Sequence, residues 1–161
     1  ISAPPFVNLI SVTSAQDMFE AVTTRADEQD LIIKAAAVAD YRPSVTSDEK
    51  IKKKDGDMSI ALERTNDILG YLGEHRRAGQ VLCGFSMETS NMLENSRKKL
   101  EKKHVDMIAA NNLKQAGAGF GTDTNVLTLI TKDEVKELPM LSKEAAASSL
   151  IDELLKLLPA E

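Results

Sequence analysis

Apolar and polar positions divide the chain into alternating strand and helix segments. After Pro4-Pro5, the β-branched and aromatic run Phe6–Val12 predicts a strand. Thr13 or Ser14 is placed to cap a helix reaching about Asp27, with Met18, Phe19 and Val22 on its apolar side. Leu31–Ala37 is continuously apolar, as in a strand covered on both faces. Ser44–Asp57 is polar with a turn at Gly56, and Met58–Leu62 alternates weakly enough for a short strand. Asn66 is read as the cap of a helix from Asp67 to Ala78, ended by Gly79. Val81–Ser86 is another buried strand. Ser90 opens a helix to about Lys103 with Met92, Leu93 and Leu100 inward, and Val105–Ala110 is a further strand ending at Asn111-Asn112. Val126–Thr131 and Val135–Leu138 form a hairpin around Lys132-Asp133-Glu134, and Lys143–Leu158 closes the chain as an amphipathic helix.

Strands alternating with helices and followed by a hairpin predict an α/β fold: a mostly parallel sheet with an antiparallel C-terminal hairpin. In such sheets ligands bind beyond the carboxyl ends of the strands. That rule singles out Ala37–Arg42, Phe85–Thr89 and Asn111-Asn112.

Composition narrows the picture. At 161 residues, 42% apolar and 28% charged, the chain has the size and make-up of one domain with its own core. A net charge of -5 argues against general nucleic-acid binding. No apolar run approaches the ~20 residues that span a bilayer, so neither a membrane nor a nucleic acid is expected as partner. The lone Cys83 excludes an internal disulfide and fits a reducing compartment, which makes the cytoplasm the expected location. The start ISAPPFV lacks a Met and reads as a cut end.

The chemistry concentrates in Leu31–Lys54. Small residues at Ala35-Ala36-Ala37-Val38-Ala39 let backbone approach a ligand closely, and Lys50-Ile51-Lys52-Lys53-Lys54 offers charge for phosphate in an acidic chain. A solvated loop is the bland reading of such a lysine run, as capping and turn chemistry is of the polar strand ends. Lys99 and Lys103, four residues apart, share a helical face. Asn111 and Asn112 carry both a donor and an acceptor, which suits base or ribose recognition. Cys83, mid-strand, is read as packing; His75 and His104 sit at helix ends without metal-ligand spacing, so the metal ligands stay unknown. Gly117–Gly121 does not follow a strand directly or open a helix, as phosphate-cradling motifs require. Together these residues predict a nucleoside triphosphate site.

The motifs AAVADYRP at Ala36–Pro43, K-x-K-K at Lys50–Lys53, N-D-I at Asn66–Ile68, GFSMET at Gly84–Thr89 and IAANN at Ile108–Asn112 occur in order. As a set, over essentially the whole chain, they closely resemble the bacterial phosphopantothenoylcysteine synthetase domain, which is often fused behind a flavin-dependent decarboxylase. The resemblance implies a Rossmann-like three-layer sandwich and a CTP-dependent ligase of coenzyme A biosynthesis. 4′-Phosphopantothenate would attack the α-phosphate of CTP to give an acyl-cytidylate and pyrophosphate, and the amine of cysteine would displace CMP. Carried over by position, it implies that Ala35, Ala36, Ala37 and Asp40 contact the nucleotide and that Lys50 is the catalytic flap lysine. Thr65, Asn66, Asp67 and Ile68 would read the cytosine, Phe85 would lie at the nucleotide, and Lys99 and Lys103 would bind phosphate. Mg2+ would accompany the triphosphate, and a homodimer is implied. Lys34 departs from the small residue more usual in the family before the alanines. The resemblance also implies that residues 1–161 are one CTP-binding ligase domain lacking its N-terminal segment, where an Asn/Arg/Ser-rich stretch contributes to the acyl-phosphate side. A non-catalytic α/β nucleotide-binding module, or a nicotinamide- or flavin-dependent oxidoreductase, remains the alternative; the latter's strand–GxGxxG–helix signature does not occur in the chain.

Overall fold

The computed structural model describes residues 4–52, 56–88, 91–112 and 122–159, without the side chains of Glu88 and Asn112. In chain order its elements are α1 (Ala15–Thr23), β1 (Leu31–Lys34), β2 (Tyr41–Pro43), β3 (Leu62–Arg64), α2 (Ile68–His75), β4 (Val81–Glu88) and α3 (Met92–Lys103). They continue with β5 (Met107–Asn112), β6 (Thr124–Asn125), β7 (Leu127–Ile130), β8 (Val135–Glu137), β9 (Leu141–Ser142) and α4 (Lys143–Leu155). The main sheet runs β1-β4-β5-β7-β8. β1, β4 and β5 pair in parallel; β7 enters antiparallel and turns back into β8, so four of the five strands point the same way. This is the mostly parallel α/β sheet with a C-terminal hairpin that the strand–helix alternation predicts, and it is Rossmann-like; the hairpin pairs Ile130 with Val135, so Thr131 joins Lys132-Asp133-Glu134 in the turn.

Alternation along the strands creates two cores. Val81, Cys83, Met107, Ala109, Leu127 and Leu129 face one way and pack with Ala146, Leu150 and Leu154 of α4. Leu82 and Ile108 face the other way and meet Ile68, Leu69 and Leu72 of α2 and Leu100 of α3, with Met18, Phe19 and Val22 of α1 against them. Leu82, Ile108, Leu129, Ile130 and Leu154 are fully buried, each worth about 1.5–3 kcal/mol of transfer free energy. α2 and α3 approach very closely: a Cβ at Gly73 would lie 1.8 Å from the Lys103 carbonyl oxygen. Only a residue without a side chain fits there.

Several sequence expectations are corrected. Phe6–Val12 forms no strand; its side chains are exposed and it finds no ladder partner among the described residues. β propensity selects an extended backbone but cannot supply a neighbour to pair with. The weak strand expected at Met58–Leu62 forms instead at Leu62–Arg64, because pairing with Tyr41–Pro43 chooses which residues are ordered. Asp67, not Asn66, caps α2: its carboxylate accepts from the Gly70 N–H at 3.0 Å, while the Asn66 amide donates to Gln16 Oε1. β1 ends at Lys34, leaving the alanines outside the ladder. Leu93 points to solvent. Ser14, by contrast, caps α1 through a full capping box with Asp17. Expectations placed on Lys53, Lys54, Thr89, Ser90 and Gly117–Gly121 lie outside the described residues.

Candidate functional site

At the carboxyl ends of β1, β4 and β5 a cleft of about 950 Å³ opens. Its floor is built from chain leaving the strands: Lys34 to Tyr41 after β1, Phe85 to Met87 in β4, and Asn111 in β5. Arg64 to Leu69 form one wall, running from β3 into the first turn of α2, and Lys99, Lys102 and Lys103 of α3 form another. Residues 35–39 lie beyond the β1 ladder and, Val38 apart, carry only methyl side chains that let a ligand come close to the backbone, although the Ala36 and Ala39 carbonyls already accept from Lys34 and Thr65.

The cleft therefore brings together Ala35, Ala36, Ala37, Asp40, Thr65, Asn66, Asp67, Ile68, Phe85, Lys99 and Lys103. Lys50 is not among its lining residues; it is exposed in the segment between β2 and β3. The cleft also includes Lys34, noted in the sequence as a departure, and Asn111, noted as a strand end. Arg64 and Lys102 join them without a local signal in the sequence. Lys102 neighbours Lys103 in sequence, so its place in the cleft depends on how α3 is rotated. Arg64 is held by the ladder that registers Tyr41 opposite it, with the guanidinium 5.7 Å from the Tyr41 ring centroid.

Charge sets the character of the cleft. Among the described residues, five cationic ones line it (Lys34, Arg64, Lys99, Lys102, Lys103) against two carboxylates (Asp40, Asp67), in a chain whose net charge is -5. The Lys99 ammonium donates to the Phe85 carbonyl at 2.8 Å and that of Lys34 to the Ala36 carbonyl at 2.8 Å, while Lys103 pairs with Asp67. Burial pushes the Asp67 carboxyl up, but the Lys103 and Gly70 hydrogen bonds, with the charges of Lys103 and Lys34, hold it below its ordinary value. The stability this gives is present above the unfolded carboxylate pKa and is lost as pH falls through the lowered folded value. Burial foremost, then the charge of Lys99, lowers the pKa of Lys34; Asp67 and Asp40 oppose this and Lys103 adds to it. A charged Lys34 thus costs the free fold stability, a cost relieved as pH rises toward the unfolded value. An anion placed in the cleft would relieve it at neutral pH.

Among the described residues no group of three or more His, Cys, Asp or Glu side chains is arranged to hold a metal. With Asp67 held by Lys103, Asp40 is the carboxylate available in the cleft among the described residues. A magnesium ion would therefore rest mainly on a ligand's own phosphates, as is usual for that ion. A second hollow of about 700 Å³, lined by Arg76, Arg97, His104 and Lys132 among others, lies at the opposite end of the sheet and holds none of the predicted site residues. No helix among the described residues is long and apolar enough to cross a membrane.

Cys83 is no nucleophile. Its side chain is fully buried in the core against α4, and desolvation pushes the thiol up to about 12. Thiol reagents at pH 8 are expected to leave the native chain unmodified and to label it stoichiometrically once denatured. Rapid labelling of native protein would contradict this burial.

Known proteins share both sequence and fold with this chain. It is 47% identical over 146 residues to the coenzyme A biosynthesis bifunctional protein CoaBC of Bacillus subtilis, covering 90% of this chain and 36% of that protein. It is 42% identical over 152 residues to a cysteine/cysteine sulfinic acid decarboxylase from an unknown prokaryotic organism, covering 94% and 42% respectively. The chain thus spans about two fifths of the length of these curated relatives. Among solved structures, the crystallised C-terminal domain of a CoaBC superposes with a TM-score of 0.78 at 42% identity, covering 98% of this chain and 71% of that one. The match to a family model runs over residues 1–158, nearly end to end. The chain belongs to the DNA/pantothenate metabolism flavoprotein C-terminal domain family.

Proposed function

We propose that this chain is the nucleotide-binding part of a phosphopantothenate–cysteine ligase of coenzyme A biosynthesis. CTP activates 4′-phosphopantothenate as an acyl-cytidylate with release of pyrophosphate, and the amine of cysteine then displaces CMP. One observation carries the reading: an acidic chain concentrates five cationic residues in one cleft, at the sheet end where α/β folds bind ligands. Membership of the family and likeness to proteins named for coenzyme A biosynthesis support it. The decarboxylase name of the second relative belongs to a protein of which this chain spans 42%, and it is not carried over.

In this reading Ala35–Ala37 and Asp40 receive the nucleotide where no bulky side chain intervenes, and the backbone of Thr65–Ile68 reads the cytosine beside Phe85. Thr65 is well anchored for this, since its N–H donates to the Asp40 carbonyl at 3.0 Å and its hydroxyl to the Ala39 carbonyl. Lys99 and Lys103 bind the phosphates, with Lys34 adding charge from the floor. Asp67 holds Lys103 in the cleft until phosphate replaces it, so little reorganisation is needed as charge develops. Magnesium bound to the triphosphate neutralises charge on the oxygens being separated. Lys50 belongs to the segment between β2 and β3, whose Val45, Ile51, Met58 and Ile60 are exposed. That apolar surface suits pairing with a second copy, and the relatives named as bifunctional suit fusion to a decarboxylase.

The test is thermal. CTP with magnesium at about 100 times Kd stabilises a fold by about 2.7 kcal/mol, which at this size raises the melting temperature by roughly 5–11 °C. ATP is expected to give a smaller rise, and Lys103→Met to remove most of the CTP effect. Equal rises with both nucleotides, or none with either, would count against the proposal.

A further inference from the structure

Asn111 stands where the buried row of β5 meets the cleft. Met107 and Ala109 face the core against α4, and Asn111, two residues on, has the same parity. It is 8% exposed, lines the cleft, and its Oδ1 is fully buried with no hydrogen-bond partner among the described residues. The ladder sets Met87 on one side of it and Leu127 on the other, and neither side chain can donate. Buried acceptors are ordinarily satisfied, so one left open at the mouth of a ligand cleft calls for a donor from beyond the described residues, and the cleft is where a ligand would bring one.

The cationic groups do not meet this need. Lys34 shares the parity of Ile32, which packs on the opposite face of the sheet against the α1–α3 core, and the lysines of α3 lie on that side too. Phosphates drawn to those lysines carry acceptors, which a carbonyl oxygen repels. What fits Asn111 is a neutral donor on the non-phosphate part of a ligand.

We propose that Asn111 is a substrate-positioning residue whose Oδ1 accepts a hydrogen bond from an N–H or O–H group of the bound substrate. On the ligase reading, which this inference deepens, that donor is either a ribose hydroxyl of the nucleotide or a hydroxyl or amide N–H of the acid being activated.

Asn111→Leu keeps the size and removes the acceptor. Because an unsatisfied buried oxygen disappears, the ligand-free melting temperature is expected to stay or rise. A fall of more than a few degrees would show that the oxygen is satisfied within the chain and overturn the proposal. Calorimetry with CTP, 2′-deoxy-CTP, 3′-deoxy-CTP and 4′-phosphopantothenate then identifies the donor. Loss of one hydrogen bond weakens binding about 5- to 10-fold. If a ribose hydroxyl donates, wild type discriminates against one deoxynucleotide by that factor and the Leu variant does not. If the acid donates, the Leu variant weakens 4′-phosphopantothenate alone. Unchanged affinities, or equal weakening of every ligand, would overturn the role of Asn111 while leaving the ligase reading in place. A wild-type chain that binds neither CTP nor 4′-phosphopantothenate would overturn that reading and this assignment together.

Discussion

Gly73→Ala is expected to lower the melting temperature by roughly 4–8 °C and to weaken CTP binding, although Gly73 does not line the cleft. The added methyl would sit 1.8 Å from the backbone carbonyl of Lys103, an atom that no rotamer change can move aside. α2 and α3 must separate. Overpacking of this severity costs about 3 kcal/mol, only partly offset by the better helix propensity of Ala at about 1 kcal/mol. For a chain of this length each kcal/mol shifts the midpoint by about 2–4 °C. The functional loss follows from geometry: Lys103 ends α3 and pairs with Asp67, the cap of α2, so parting the helices at Gly73 pulls that pair apart. Thermal melts and CTP titrations of the purified variant test both halves. A variant that melts with wild type would show that the two helices are not so tightly opposed.

Lys50→Gln is expected to do the reverse, leaving the melting temperature within about one degree, as exposed substitutions usually do, while reducing pyrophosphate release at least about 100-fold, the scale of losing one charge-stabilising group in the transition state. Lys50 is exposed and outside the cleft lining in the free chain. Its proposed role therefore needs the segment between β2 and β3 to close over bound triphosphate. The measurement is phosphopantothenate-dependent pyrophosphate release by the enzyme carrying this domain. Turnover within a few-fold of wild type would remove Lys50 from the mechanism.

Local patterns in the sequence are enough to place many of these groups. The four-residue spacing of Lys99 and Lys103 puts both on one helical face, and the structure turns that face to the cleft. Ala35–Ala37 and Phe85 fall at strand ends, where the α/β rule puts ligands. Partner choice was less legible. Phe6–Val12 has a strand's composition but no neighbour to pair with among the described residues, and the second strand of the small ladder slid to Leu62–Arg64 to meet Tyr41–Pro43. Asn66 and Asp67 are both good capping residues; which one caps α2 depends on Gln16, fifty positions earlier, engaging the Asn66 amide. Arg64 in the cleft and the unsatisfied oxygen of Asn111 depend on ladder register and on packing across the sheet, neither of which has a local signature.

The two cores on either side of the sheet have a consequence for how such a chain can change over generations. The face against α4 contributes little to the cleft beyond Phe85 and Asn111, whereas the α1–α3 face supplies the lysines and the cap of α2. Substitutions among Ala146, Leu150, Leu154 and their partners can compensate one another without disturbing the ligand. On the other side, Gly73, Asp67 and Lys103 constrain one another directly. Compensating substitutions are thus expected to be tolerated more readily among the α4-face core residues than at Gly73, Asp67 or Lys103.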